Sequence, residues 1–265
     1  MSLIDNKMEK ENQIPHIVHY CWYGGNTMNY ILRKCVESFP KIFSLKKGRI
    51  IRWDEDNTHF DGNDYVNNLF KEKQWGFFSD YIRLKALYEY GGIYLDTDIL
   101  VRKELPDFFY NADMIIGYAF DDVVCTAFVM VKPHHPFIKH LLDMFESFQS
   151  GKQYVNNGYF TQALIDFYPD FKLDGKFREF APGCFIYPRW YFDSISYHRD
   201  GGYTIHEGMG SWHKGGFLYE SVRPLVKLCR FYIKPFGVWY ANRVNRKMVV
   251  QSPHFDLYKK NVSGK

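Results

Sequence analysis

The run FFSDYIRLKALYEYGGIYLDTD, residues 77–98, restricts the fold more than any other part of this chain. Tyr81, Leu84, Leu87 and Tyr88 form an apolar stripe at helical spacing. Ser79 is placed to cap the helix at its start and Gly91 to stop it at its end. IYLDTDIL then reads as an apolar strand that turns acidic where it ends. A helix, a glycine stop and a buried strand in direct succession point to an α/β sheet.

The rest of the first half keeps this alternation. IPHIVHYCW, closed by Tyr23-Gly24-Gly25, is a buried first strand and a glycine turn, Thr27 to Phe39 is helical, and RIIRWDEDN is a brief strand running into an acidic turn. DMIIGYAF and VCTAFVMVK are further buried strands, and Pro136 opens a helix bearing Phe137, Leu141, Phe145 and Phe148. GYFTQALIDFY is expected to be helical, FIYPRWYF extended, and GYTIHEGMGSW a strand emptying into a glycine loop. A sheet of this class carries its site at the carboxyl ends of its strands. From about Gly216 the composition changes, because FLYESVRPLVKLCRFYIKPFGVWYANRVNRK mixes large apolar residues with basic ones and almost no acids. We therefore expect one domain over residues 1–215 and a basic, amphipathic helical extension over 216–265. That extension either meets an anionic membrane surface or docks on the core with its basic face in solvent.

Composition narrows the function classes. The 265 residues are 46% hydrophobic, enough to bury one substantial core. The 34 basic residues are offset by 30 acidic ones, and a net charge of +4 is too small for a nucleic-acid binder. The five cysteines, at 21, 35, 125, 184 and 229, form no CxxC pair and read as reduced cytosolic thiols, not as a disulfide or zinc framework. No stretch approaches the roughly 18 apolar residues of a membrane span, and MSLIDNKMEKENQ lacks the apolar core of a signal peptide. The expected location is the cytoplasm, with peripheral contact at the inner face of the cell membrane through the basic extension. The sequence holds no GxSxG, no HExxH and no Cys/His pairing, so these motifs assign no nucleophile.

Asp96 and Asp98 are one residue apart at a predicted strand end, where alternate side chains share a face. Two carboxylates so close repel one another unless a proton or cation lies between them, and Mg²⁺ or Mn²⁺ favours such oxygen ligands together with substrate phosphates. Asp80 and Arg83, three residues apart, share a face of the preceding helix. Glycoside hydrolysis would also pair carboxylates, but roughly 5 to 9.5 Å apart across a sugar and without metal. A non-catalytic carbohydrate-binding module with a structural cation is the alternative from another class, and it would not need Arg83. His134 and His135, in VKPHHP, read as a turn before a helix and not as ligands.

SDYIRLKALYEYGGIYLDTD resembles the sugar-donor signature of glycosyltransferase family 32, the DxD-containing region shared with capsule-synthesis and yeast mannosyltransferases. IPHIVHYCWYGG resembles that family's opening strand, IRWDEDN its second strand and TIHEGMGSW its closing loop, so the likeness runs in order through residues 14–213. The glucosyltransferase domains of clostridial toxins are similar more distantly. The resemblance implies a GT-A fold with a mixed, mostly parallel central sheet flanked by helices. It implies a nucleotide-diphospho-sugar donor, a Mn²⁺ or Mg²⁺ ion and retention of anomeric configuration by a front-face route; the donor is expected to be a UDP-sugar ahead of GDP-mannose. The implied acceptor is a saccharide or lipid-linked saccharide of capsular or lipopolysaccharide synthesis. Trp22 matches the aromatic that stacks on the base; as a residue it reads equally as a core tryptophan beside Tyr20. Asp80 and Arg83 match positions that hold donor sugar hydroxyls, Asp96 the acid near sugar and ribose, and Asp98 the metal ligand. Asp80, Arg83 and Asp96 are thus the expected catalytic group. His206, Glu207 and Ser211 are alternatives for completing the metal shell with Asp96 and Asp98, and Ser211 and Trp212 are expected to bind the donor, Trp212 covering the diphosphate. Arg83 and Lys214 are candidates to meet the charge on the leaving group, and Asn156, Asn157 and Gln162 to line the sugar pocket.

Overall fold

The computed structural model describes residues 13–43, 48–149, 156–193 and 202–208, and residues 225, 226, 229, 233, 235, 236, 239, 240 and 243 of the C-terminal segment. Internal contacts divide the chain into two units, Met1–Glu207 and Gly208–Lys265. Among the described residues of the second, 225, 226, 229, 235, 236, 239, 240 and 243 are helical. No helix among the described residues is long and apolar enough to cross a membrane.

The first unit runs β1 (Ile17–Cys21), α1 (Tyr30–Ser38), a 3-10 turn (Phe39–Ile42), β2 (Arg49–Trp53), α2 (Asp64–Lys71), α3 (Trp75–Tyr90), β3 (Gly92–Leu95) and β4 (Ile99–Val101). It continues with α4 (Asp107–Tyr110), β5 (Met114–Phe120), β6 (Val123–Val131), α5 (Pro136–Glu146), α6 (Asn156–Phe167), β7 (Arg178–Ala181), β8 (Cys184–Tyr187) and β9 (Thr204–His206). Seven of these strands form one sheet in the order β2-β1-β3-β6-β5-β8-β7, while β4 and β9 pair separately. β1, β2, β3, β5 and β8 point one way, and β6 and β7 run against them. The sheet is therefore mixed, with most strands in one direction and helices on both faces, as expected of an α/β protein.

The strands at its centre are buried along their whole length, β3 and β6 at every residue, so both faces must be covered. Alternation sorts the side chains. Tyr94, Met114, Ile116, Val129 and Val131 pack into one core with Phe78, Ile82, Phe137 and Tyr159 from α3, α5 and α6. Ile93, Leu95, Ile115, Phe128 and Met130 pack into the other with Phe39, Phe109 and Phe192. Tyr94 thus stands on the α3 side of the sheet, which decides where the chain just beyond β3 can aim.

Several local expectations change. Ser79 does not cap α3; the helix begins one turn earlier, at Trp75, with Gln74 at the N-cap position. The extra turn is held by aromatic packing, since Trp75 stacks on Tyr23 and Phe78 meets Tyr23 edge-on. Gly91 ends the helix as expected, with φ of 60° and its N–H bonded to Leu87 O. IYLDTDIL is not one strand: it breaks after Leu95, and Asp96-Thr97-Asp98 forms a turn closed by Ile99 N–H to Asp96 O at 3.0 Å. FIYPRWYF is extended only through Tyr187; residues 189–193 turn back, and the Phe192 ring stacks on Phe128 with centroids 3.9 Å apart. All five cysteines are free thiols, four of them buried. His135 N-caps α5 by accepting from Phe137 N–H, so it serves the turn as expected.

Candidate functional site

The site lies where α3 passes the end of β3. Asp80 and Arg83, i and i+3 on α3, both face inward and are 9% and 7% exposed. Arg83 Nη2 lies 2.7 Å from Asp80 Oδ1 and 3.2 Å from Asp96 Oδ1, and its Nη1 donates to Thr126 O at 2.8 Å. The guanidinium stacks over the Tyr94 ring, 4.4 Å from its centroid. Asn156, at the start of α6, donates to Asp80 Oδ1 at 2.6 Å. Asn157 accepts from Thr126 Oγ1 at 2.5 Å, tying α6 to β6 beside the same group.

Asp96 continues the β3–β6 pairing through its N–H to Ala127 O at 2.9 Å, which holds its side chain on the Tyr94 side. Beyond it the Asp96–Asp98 turn meets β9. Ile99 pairs with His206, and Glu207 N–H donates to Asp98 O at 2.9 Å. His206 Nε2 then lies 3.3 Å from Asp98 Oδ1, and its Nδ1 lies 2.8 Å from Asp193 Oδ1. One ligand atom from each of Asp96, Asp98 and His206 falls within 4.8 Å of the others. The two carboxylates converge because the chain turns between them, not because a strand alternates.

Burial pushes the Asp80 carboxyl up to about 7, against the pull of Arg83 and with a further push from Asp96. Asp96 is also raised, by burial first, with Arg83 opposing and Asp98 adding. Arg83 is charged: burial disfavours its cation, but Asp96, Tyr94 and Asp80 outweigh that and raise it well above its ordinary value. Burial alone would lower His206, yet Asp98 and the bond to Asp193 hold it well above the ordinary imidazole range. Acidic groups outnumber basic ones here, which suits a cation. Carboxylate oxygens with one imidazole nitrogen form the mixed O/N donor set that Mn²⁺ accepts, and Mg²⁺ less readily. Arg83 Nε is buried without a hydrogen-bond partner among the described residues.

The structure thus brings Asp80, Arg83 and Asp96 into one hydrogen-bonded group, with Asp98 and His206 beside it. Trp22 stands just past β1, which runs parallel to β3, so it shares with Asp96 the same edge of the sheet. It is half-buried against the second core, and its Nε1–H donates to Asn26 O at 2.8 Å. Gln162 donates to Asp166 one turn further along α6 at 2.8 Å. Ser211, Trp212 and Lys214 lie outside the described residues. Sequence reasoning did not find Asp193, Tyr94, Cys125 or the Thr126 carbonyl. A carbonyl has no sequence signature, and Asp193 acquires its meaning only from the turn that places it against β9.

Residues 1–180 match the family described as capsular polysaccharide synthesis protein. The chain is 25% identical over 234 residues to an uncharacterized glycosyltransferase of Acanthamoeba polyphaga mimivirus, covering 83% of this chain and 88% of that protein. It is 26% identical over 117 residues to the alpha-1,4-N-acetylglucosaminyltransferase of Homo sapiens, covering 44% of this chain and 32% of the human protein. Among solved structures, the PaToxG glycosyltransferase aligns with a TM-score of 0.47 at 18% identity, over 63% of this chain and 76% of that one.

Proposed function

The chain belongs to the capsular polysaccharide synthesis protein family and is a glycosyltransferase, and from that premise we propose a retaining, metal-dependent transfer from a nucleotide-diphospho-sugar to a saccharide acceptor. In this reading the mixed sheet is a GT-A scaffold, the donor is a UDP-sugar in preference to GDP-mannose, and the acceptor belongs to capsular or lipopolysaccharide synthesis. The observation that carries the reading is Arg83 held between Asp80 and Asp96, with Asp96, Asp98 and His206 converging beside it.

Asp96, Asp98 and His206 would hold the divalent ion. When bound it supplies Lewis-acid stabilisation of the charge that gathers on a departing diphosphate. Arg83 is already oriented by two carboxylates and a carbonyl, so it presents a fixed cation at no reorganisation cost as that charge develops. Both contacts to Asp80 fall on Oδ1, which leaves Oδ2 to accept a sugar hydroxyl. Trp22 offers a ring at the same sheet edge for the base. No residue is assigned as a nucleophile, in keeping with front-face retention. The basic segment after Gly216 supports a cytoplasmic chain that touches anionic lipid at the inner face of the cell membrane. Sedimentation with anionic but not neutral vesicles checks that part, and equal sedimentation with both contradicts it.

Release of nucleotide from UDP-sugars and GDP-mannose tests the central reading. We expect turnover with Mn²⁺, none with EDTA, and its loss in Asp98→Asn, a variant that keeps the fold because Asp98 sits in a turn at the sheet edge. Undiminished turnover of Asp98→Asn in Mn²⁺ would overturn the metal assignment.

A further inference from the structure

The imidazole of His206 is gripped from both sides, and only one side belongs to the site described above. Its Nε2 faces Asp98 Oδ1 at 3.3 Å, while its Nδ1 meets Asp193 Oδ1 at 2.8 Å. The backbone repeats the second contact, with His206 N–H donating to Asp193 O at 2.9 Å. Asp193 is fixed in turn: the buried Cys125 thiol, on β6, donates to the same Oδ1 at 3.6 Å and also meets the His206 ring directly, so it braces both partners. The turn that carries Asp193 is pinned by Phe192, stacked on Phe128 of β6, and by the Thr204 hydroxyl, which donates to Phe192 O. One strand, one turn and β9 therefore converge on a single carboxylate oxygen.

We propose that Asp193 is a positioning residue that sets the tautomer and orientation of His206 for a divalent cation, with Cys125 holding Asp193 in place. The inference rests on the cation-binding reading of Asp96, Asp98 and His206. The physical ground is that the two imidazole nitrogens are linked. Once a cation has displaced the second proton, a carboxylate that accepts from Nδ1–H keeps the remaining proton there, leaves the lone pair on Nε2, and makes that nitrogen a better ligand. Here Nε2 is the nitrogen directed toward Asp98. Without Asp193 the ring could exchange tautomers or rotate about its side-chain bonds, and Nε2 would present a proton to the cation part of the time.

Mn²⁺ binding, followed by the paramagnetic resonance of the free ion, tests this in the full chain, with circular dichroism as the check on folding. Asp193→Asn is expected to weaken Mn²⁺ binding ~10- to 100-fold. His206→Ala weakens it as well, and adding Asp193→Asn to that variant changes nothing further, because Asp193 acts through the ring. A drop of the same size with and without His206, or an Asp193→Asn affinity within about twofold of the unmutated chain, overturns the inference. Cys125 gives a second route should Asp193→Asn fail to fold: Cys125→Ala weakens Mn²⁺ binding and Cys125→Ser, which still donates, restores it. Equal affinities for those two variants also overturn the proposal. An unmutated, folded chain that binds no Mn²⁺ would instead remove the cation site itself, an outcome distinct from either of these.

Discussion

Arg83 stands between two carboxylates that could not otherwise share a buried space. Removing it in Arg83→Ala leaves Asp80 and Asp96 without their common cation, and loss of one partner from a buried pair costs about 3–5 kcal/mol. We expect the urea midpoint to fall accordingly; a midpoint within the scatter of the unmutated protein contradicts the arrangement. Arg83→Lys keeps the charge but cannot reach two carboxylates and the Thr126 carbonyl from one planar group. That variant should fold and lose about a hundredfold or more in turnover. His206 adds a pH dependence. Its folded pKa is raised above the ordinary 6.5, so its charge stabilises the metal-free protein in full below that value. The contribution is lost as pH rises through the higher folded value. A cation needs the imidazole lone pair and must displace this proton, so Mn²⁺ affinity should increase with pH until the folded value is passed. Calorimetry in two buffers of different ionisation enthalpy reads the released proton directly, and identical heats in both would count against it.

The bend from α3 into β3 is the element on which the site's register depends. Gly92 has φ of 100°, and a Cβ there would lie 2.5 Å from Ile17 O in the neighbouring strand. The buried ring of His19 braces the same bend, bonded to Gly91 O through Nε2 at 2.9 Å while Trp53 donates to its Nδ1 at 3.2 Å. Burial lowers this imidazole to about 4, so it stays neutral and keeps both bonds. Gly92→Ala is therefore expected to destabilise the protein by about 1–3 kcal/mol, read as a lower melting temperature. An unchanged melting temperature would show that the bend carries no such constraint. The helical stripe of α3, its glycine stop and the apolar runs of β3, β5 and β6 were all legible in the sequence, because a side-chain period of 3.6 or an unbroken buried run survives any tertiary context. Ser79 misled because Trp75 and Phe78 gain more by stacking around Tyr23 than the helix gains from a serine cap. The DTD turn misled for a related reason. Ile99–Val101 has the composition of a strand, but its partner is β9, far along the chain, and a single sequence does not show which sheet a strand joins.

At the scale of the molecule, the fold gathers residues 80, 83, 96, 98, 156, 193 and 206 from widely separated parts of the chain. Asp80, Arg83, Asp96 and Asp98 were legible as a group because they lie within one helix-strand unit. His206 was legible only as a candidate, and Asp193 not at all. If this assembly forms a donor site completed by metal, melting of the intact chain will show it. The panel is UDP, GDP, UDP-glucose, UDP-galactose, UDP-N-acetylglucosamine and GDP-mannose, each with Mn²⁺ and with EDTA. A ligand at about 100 times its Kd adds roughly 2.7 kcal/mol to the native state, which for a chain of this size raises the melting temperature by about 5–10 °C. Such a rise is expected with one base, UDP before GDP, and EDTA should abolish it. A folded protein whose melting does not respond to any of these nucleotides in Mn²⁺, or responds equally in EDTA, would contradict a donor site completed by metal.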